Sequence, residues 1–175
     1  GSAVYADNVS SSDGICVERI RGQGAIFIGK TNVPEFGLGS QSYNNVYGTT
    51  RNAYLPQLCA GGSSGGAASA LATHLLPVAD GSDMMGSLRN PAAYNNVVGF
   101  RPSRGRVPHK GGDLFYQQLG YQGPMGRCVE DTIRMLGTMS GYDARDPLSL
   151  RDQVSSFEDT VAKELKQYTL GWMGD

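Results

Sequence analysis

Six consecutive residues, Gly61-Gly62-Ser63-Ser64-Gly65-Gly66, place two serines in backbone almost free of Cβ atoms. A third serine, Ser87, follows Ser63 by 24 positions, in the turn-rich run Asp80-Gly-Ser-Asp-Met-Met-Gly-Ser-Leu-Arg89. Glycine permits positive φ and lets one backbone approach another group closely. Two such segments in one chain demand sharp turns whose main-chain N–H groups surround hydroxyls. That combination suits acyl-transfer chemistry, in which hydroxyl oxygens react and N–H groups hold developing negative charge.

The flanking pattern predicts an α/β fold. Ser12-Asp13 reads as the cap of a helix with Ile15, Cys16, Val17 and Ile20 on one face, stopped at Gly22-Gln-Gly24. Ala25-Ile-Phe-Ile-Gly29 reads as a fully apolar strand of a buried parallel sheet. Residues 31–59 are rich in Asn, Gly, Pro, Ser and Tyr without period, and a long irregular passage in a compact domain is more often functional than idle. Gly65 to Leu75 reads as a helix of small residues ended by Pro77, and Leu76–Ala79 as a returning strand. Asn90-Pro91 then opens another helix, and Val97–Phe100 is a short strand. Val129–Met139 has the apolar spacing of an amphipathic helix, with Ile133, Leu136 and Met139 toward the core. Near the end, Phe157–Leu165 suggests a helix and Tyr168–Trp172 a strand.

Composition removes several alternatives. A net charge of −1 gives no general pull toward nucleic acid. The basic cluster Arg101, Arg104, Arg106, His109 and Lys110 is better read as a solvated loop with phosphate or carboxylate partners inside the protein than as a nucleic-acid patch. Cys16, Cys59 and Cys128 are odd in number and lack CxxC spacing, so reduced thiols and a cytoplasmic setting are expected. Two histidines without HExxH-like spacing make zinc an unattractive reading. No run of about 18 apolar residues suggests a membrane span. The glycine-serine box lacks the Gly-Lys-Ser/Thr ending of a phosphate-cradling loop.

Several ordered motifs then resemble the amidase signature family. They are Gly29-Lys-Thr-Asn-Val-Pro-Glu-Phe-Gly37, Tyr47-Gly-Thr-Thr-Arg-Asn52, the box at 61–66, Gly86-Ser-Leu-Arg-Asn-Pro-Ala-Ala93 and Val98-Gly-Phe-Arg-Pro-Ser-Arg-Gly-Arg-Val107. The resemblance covers nearly the whole chain. It implies a mixed β-sheet flanked by helices on both faces, with residues 1–175 forming the central part of one domain. It also implies hydrolysis of carboxylic amides through a Ser–Ser–Lys arrangement, with Ser87 as nucleophile and Ser63, after a cis peptide, as proton relay. The N–H groups of Met84, Met85, Gly86 and Ser87 match the oxyanion hole. Ser64, Asp83 and Arg89 match supporting positions that orient loops by hydrogen bonds, although Ser64 could simply cap the following helix.

A serine hydroxyl is a weak nucleophile until a partner takes its proton. A neutral lysine acting through a second hydroxyl can do so. In the resembling family that lysine lies upstream of the Gly-Lys-Thr-Asn motif, in a segment expected to be absent from these residues along with a later substrate-covering portion. Lys30 belongs to the motif itself and is a weak candidate for the base. The resemblance therefore implies that these 175 residues alone hydrolyse amides poorly or not at all. A second departure is Met85, where the family pattern has Gly. Either a positive φ strains the methionine there, or φ is negative and Met84 and Met85 shape an apolar acyl pocket.

No metal or organic cofactor is implied, and the partner is a small-molecule amide substrate. Nucleic acid is not expected to bind directly, and a homo-oligomer stays open. Within the family, the rival is the amidase subunit of a tRNA-dependent amidotransferase. The Met-Met-Gly-Ser and Leu-Arg-Asn-Pro runs favour a stand-alone amidase over it. Outside catalysis, the rival is a remnant that keeps the scaffold without its base.

Overall fold

The computed structural model describes residues 1–111, 118–152, 157 and 169–174. Helix α1 (Ile15–Gly22) begins after Gly14 and buries Ile15, Cys16 and Ile20. A two-residue hairpin, β1 (Tyr43–Asn44) with β2 (Gly48–Thr49), interrupts the irregular stretch predicted between 31 and 59. Helix α2 (Gly65–Ala72) leads to strand β3 (Val78–Asp83), a turn, helix α3 (Arg89–Tyr94) and strand β4 (Val98–Gly99). Strand β5 (Tyr121–Gly126) and helix α4 (Val129–Met139) follow. The expected mixture of helices and sheet is present.

The sheet order is β3-β5-β4, and β5 is antiparallel to both neighbours. Its central strand is the one that residue preference hides. Tyr-Gln-Gly-Pro-Met-Gly carries two glycines and a proline, all depleted in strands. The packing supplies the reason. A side chain on Gly123 would run into the carbonyl of Phe100 and the side chain of Leu88. Pro124 lacks an N–H, but its carbonyl still accepts from Phe100 N–H at 3.1 Å.

Two apolar clusters hold the elements. One joins Ala67, Ala68 and Leu71 of α2 with Leu88, Ala92 of α3 and Met125 of β5. The small alanines let α2 lie close to its neighbours, and each fully buried Leu or Met contributes about 1.5–3 kcal/mol of transfer free energy. The other cluster joins Cys16 and Ile20 of α1 with Val107, Leu136 and Met139. Burial there pushes the Cys16 thiol up to about 12, with the nearby Asp80 charge adding to the effect. Arg19 of α1 donates to the carbonyls of Met139 and Gly141 at 2.9 and 3.0 Å. It thereby satisfies acceptors left open at the C-terminus of α4.

Three expectations are corrected. Residues 25–29 form no strand, and Ile26 and Ile28 are 88% and 71% exposed. An apolar run becomes a strand only where a neighbouring strand takes up its N–H and C=O groups. Apart from Ala25 N–H, which donates to Ile20 O at the end of α1 at 3.3 Å, no backbone partner takes them up among the described residues. Residues 169–172 likewise form no strand, with Leu170 and Trp172 exposed. The helix expected to open at Asn90-Pro91 starts instead at Arg89, which places Pro91 third. That is still within the first turn, where a missing N–H costs nothing. The helix expected over Phe157–Leu165 lies outside the described residues apart from Phe157.

Candidate active site

The two serine segments meet. Ser64 opens α2, and its N–H donates to the carbonyl of Ser87 at 3.2 Å. The Ser64 hydroxyl donates to Ser82 O at 3.3 Å and accepts from Ser82 N–H at 3.2 Å. It therefore fastens the start of α2 to β3 and makes no side-chain cap on its own helix. The Gly62–Ser63 peptide bond is cis, and Ser63 is buried.

Asp83 ends β3, and its fully buried carboxylate organises the turn that carries Ser87. Oδ1 accepts from Gly86 N–H at 2.8 Å, and Oδ2 from Leu88 N–H at 3.1 Å and Arg89 N–H at 3.4 Å. Arg89 grips it with Nε at 3.0 Å and Nη2 at 3.1 Å, and Arg101 Nη1 approaches to 2.5 Å. Burial alone raises this carboxyl, but the Arg89 side chain, the Gly86 and Leu88 N–H groups and Arg101 outweigh it. They hold Asp83 well below the usual carboxylate range. Arg101 also lies over the ring of Tyr121 at 3.9 Å and donates to Met84 O at 2.8 Å.

One part of the expected oxyanion hole changes. Gly86 N–H already donates to Asp83, so it faces the carboxylate and not a substrate. The N–H groups of Met84, Met85 and Ser87 have no protein acceptor among the described residues. The turn's demand for glycine also falls at 86 rather than 85. Gly86 has φ 119°, and a Cβ there would press on the Asn90 carboxamide, whose Nδ2 would stand 2.6 Å away. Met85 is not among the residues of positive φ, which leaves the second of its two expected conformations.

An open cavity of about 320 Å³ lies beside this turn, lined by Gly37, Leu38, Gly39, Ser40, Gly62, Met84, Met85, Ser87 and Asn90. Ser87, Met84 and Met85 thus share one hollow with Gly62, the residue joined to Ser63. Lys30 is exposed and does not line it, and no hydrogen bond joins Lys30 to either serine among the described residues. Sequence reasoning missed Asn90 as a lining residue, Arg101 as a partner of Asp83, and Ser42. The Ser42 hydroxyl donates to Ser63 O at 2.9 Å and accepts from Gly65 N–H at 2.8 Å. For Arg101 a partial signal existed, since its basic cluster was expected to meet phosphate or carboxylate partners inside the protein.

The chain is similar to known proteins over most of its length. It is 37% identical over 171 residues to a glutamyl-tRNA(Gln) amidotransferase subunit of Alcanivorax borkumensis, matching 98% of this chain and 35% of that protein. It therefore spans about a third of the length of the curated relatives it matches. Among solved structures, a bacterial aryl acylamidase of the amidase signature family superposes with TM-score 0.82 at 37% identity, over 88% of this chain and 32% of that one. A glutamyl-tRNA(Gln) amidotransferase subunit of Thermotoga maritima superposes with TM-score 0.78 at 30% identity, over 87% and 34%. The Amidase family description matches residues 1–175 without a break, and the chain belongs to that family.

Proposed function

We propose that these residues form the nucleophile-bearing part of an amidase that cleaves carboxylic amides through an acyl-enzyme. Ser87 Oγ attacks the amide carbonyl carbon while its proton passes through Ser63 to a lysine contributed from outside these 175 residues. The carbonyl oxygen, now negative, is held by N–H groups of Met84, Met85 and Ser87. Collapse breaks the C–N bond, the amine or ammonia leaves with a proton, and water then cleaves the ester to release the acid and restore Ser87. The observation that carries this reading is the cavity-facing Ser87 beside three N–H groups that no protein acceptor occupies among the described residues. Its test is incubation of the full-length protein with small amides. Acid and amine in equal amounts, lost on Ser87→Ala, support the reading, whereas turnover unchanged by that substitution contradicts it.

In this reading Met84 and Met85 form an apolar wall for the acyl group, with Leu38 lining the same cavity. Met85→Ala is expected to raise KM for aryl- or alkyl-acyl amides about 5- to 20-fold, as loss of a few methylene contacts does. Acetamide, too short to reach that wall, should change little. Equal effects on both substrates would remove Met85 from acyl recognition.

A second reading is favoured by the names of the curated relatives. They are amidotransferase subunits, so the protein would release ammonia from glutamine for a partner. Co-purification with partner subunits, and glutamine as the preferred amide, would select it. A non-catalytic remnant is separated from both by the absence of any turnover in the full-length protein.

A further inference from the structure

We infer that Ser42 is a positioning residue for the proposed relay, a buried splint that fixes Ser63 from outside the motif carrying it; this rests on the reading of Ser63 given above. Ser42 sits 21 residues before Ser63, at the edge of the β1–β2 hairpin, and is only 2% exposed. Its groups grip the glycine-serine box at three successive points. Its N–H donates to Gly61 O at 3.1 Å, its hydroxyl donates to Ser63 O at 2.9 Å, and the same hydroxyl accepts from Gly65 N–H at 2.8 Å. The grip thus spans both sides of Ser63.

Ser42 is itself held. Its carbonyl accepts from Thr50 N–H at 2.9 Å, and Asn32 Nδ2 reaches Gly48 O at 3.1 Å and Thr50 Oγ1 at 3.2 Å. Asn44 Nδ2 in turn donates to Asn32 Oδ1 at 2.6 Å. The fit against α2 is close: a Cβ on Gly65 would lie 2.5 Å from Ser42 Oγ. No larger side chain fits at 65, and the serine hydroxyl fills that space with a hydrogen bond. A buried donor and acceptor satisfied by one hydroxyl lose both bonds together when it is removed. Because Ser63 must stand between nucleophile and base, a small displacement there acts on proton transfer and leaves the substrate cavity, which Ser42 does not line, intact.

A double-mutant cycle in the full-length protein tests the splint. Ser42→Ala should lower kcat about 10- to 100-fold with KM little changed, the scale expected for a slightly misplaced catalytic group. In a Ser63→Ala background the same substitution should cost no further activity, because the group it positions is gone. Ser42→Cys, which keeps the shape and a weak donor, should show a smaller loss in the same pattern, and it serves if the alanine variant does not fold. Equal losses in both backgrounds, or a loss confined to KM, would overturn the inference. A wild-type rate in Ser63→Ala alone would remove the relay, and the splint with it.

Discussion

Ser87→Ala is expected to lower amide hydrolysis by the full-length protein about 10⁴-fold or more, the size of loss seen when a covalent nucleophile is deleted. Ser63→Ala should cost less, about 10²- to 10⁴-fold, because it removes assistance to proton transfer and leaves the attacking oxygen. The Ser87 hydroxyl makes no hydrogen bond among the described residues, so its removal should leave the fold within about 0.5 kcal/mol of the parent. The pair of measurements separates chemistry from structure. A large drop in both melting temperature and rate on Ser87→Ala would assign that serine a structural role instead.

Asp83→Ala should be the most damaging single change to folding, costing about 3–5 kcal/mol, as breaking a buried ion pair does. It would leave the Arg101 guanidinium without its carboxylate and the N–H groups of Gly86 and Leu88 without an acceptor. Asp83→Asn keeps the volume but cannot pair two arginines, and an intermediate loss is expected. The pH dependence has a definite sign. The carboxyl's folded value lies below its unfolded value of about 4, so its contribution is complete above that pH and is lost as pH falls toward the depressed folded value. Acid unfolding should therefore steepen below about pH 4 in the parent and flatten in Asp83→Asn, read from chemical denaturation midpoints across pH. The same slope in both proteins would show that this carboxylate does not govern acid stability.

The legible parts of the sequence were those where a residue type permits only a few geometries. Glycines around serines marked the two segments that the fold brings together, and the apolar spacing of Val129–Met139 marked α4 to the residue. Where geometry came from distant neighbours, local pattern failed. β5 is central although Gly123 and Pro124 disfavour strands, because tight packing against Phe100 and Leu88 leaves no room for larger residues. Residues 25–29 have strand composition but lack a pairing edge among the described residues.

The same division runs through the site. Ser63, Ser64, Asp83 and Ser87 stood out through the motifs that carry the family resemblance, and Asp83 accepts from the N–H groups of Gly86 and Leu88 in the turn that carries Ser87. That Gly86 N–H serves Asp83 could not be read, since a backbone donor's direction depends on the turn it lies in. Ser42 carried no signal at all: one serine in an irregular stretch looks like any other until burial and two bonds single it out.

In the proposed reaction Ser87 becomes covalently acylated. Treating the full-length protein with a serine-directed phosphonate and mapping the modified peptide by mass spectrometry tests it most directly. A single adduct on Ser87 is expected, formed far more slowly in Ser63→Ala and absent from Ser87→Ala. An adduct on Ser63 or Ser64, or amide turnover by a protein whose Ser87 stays unmodified, would contradict it.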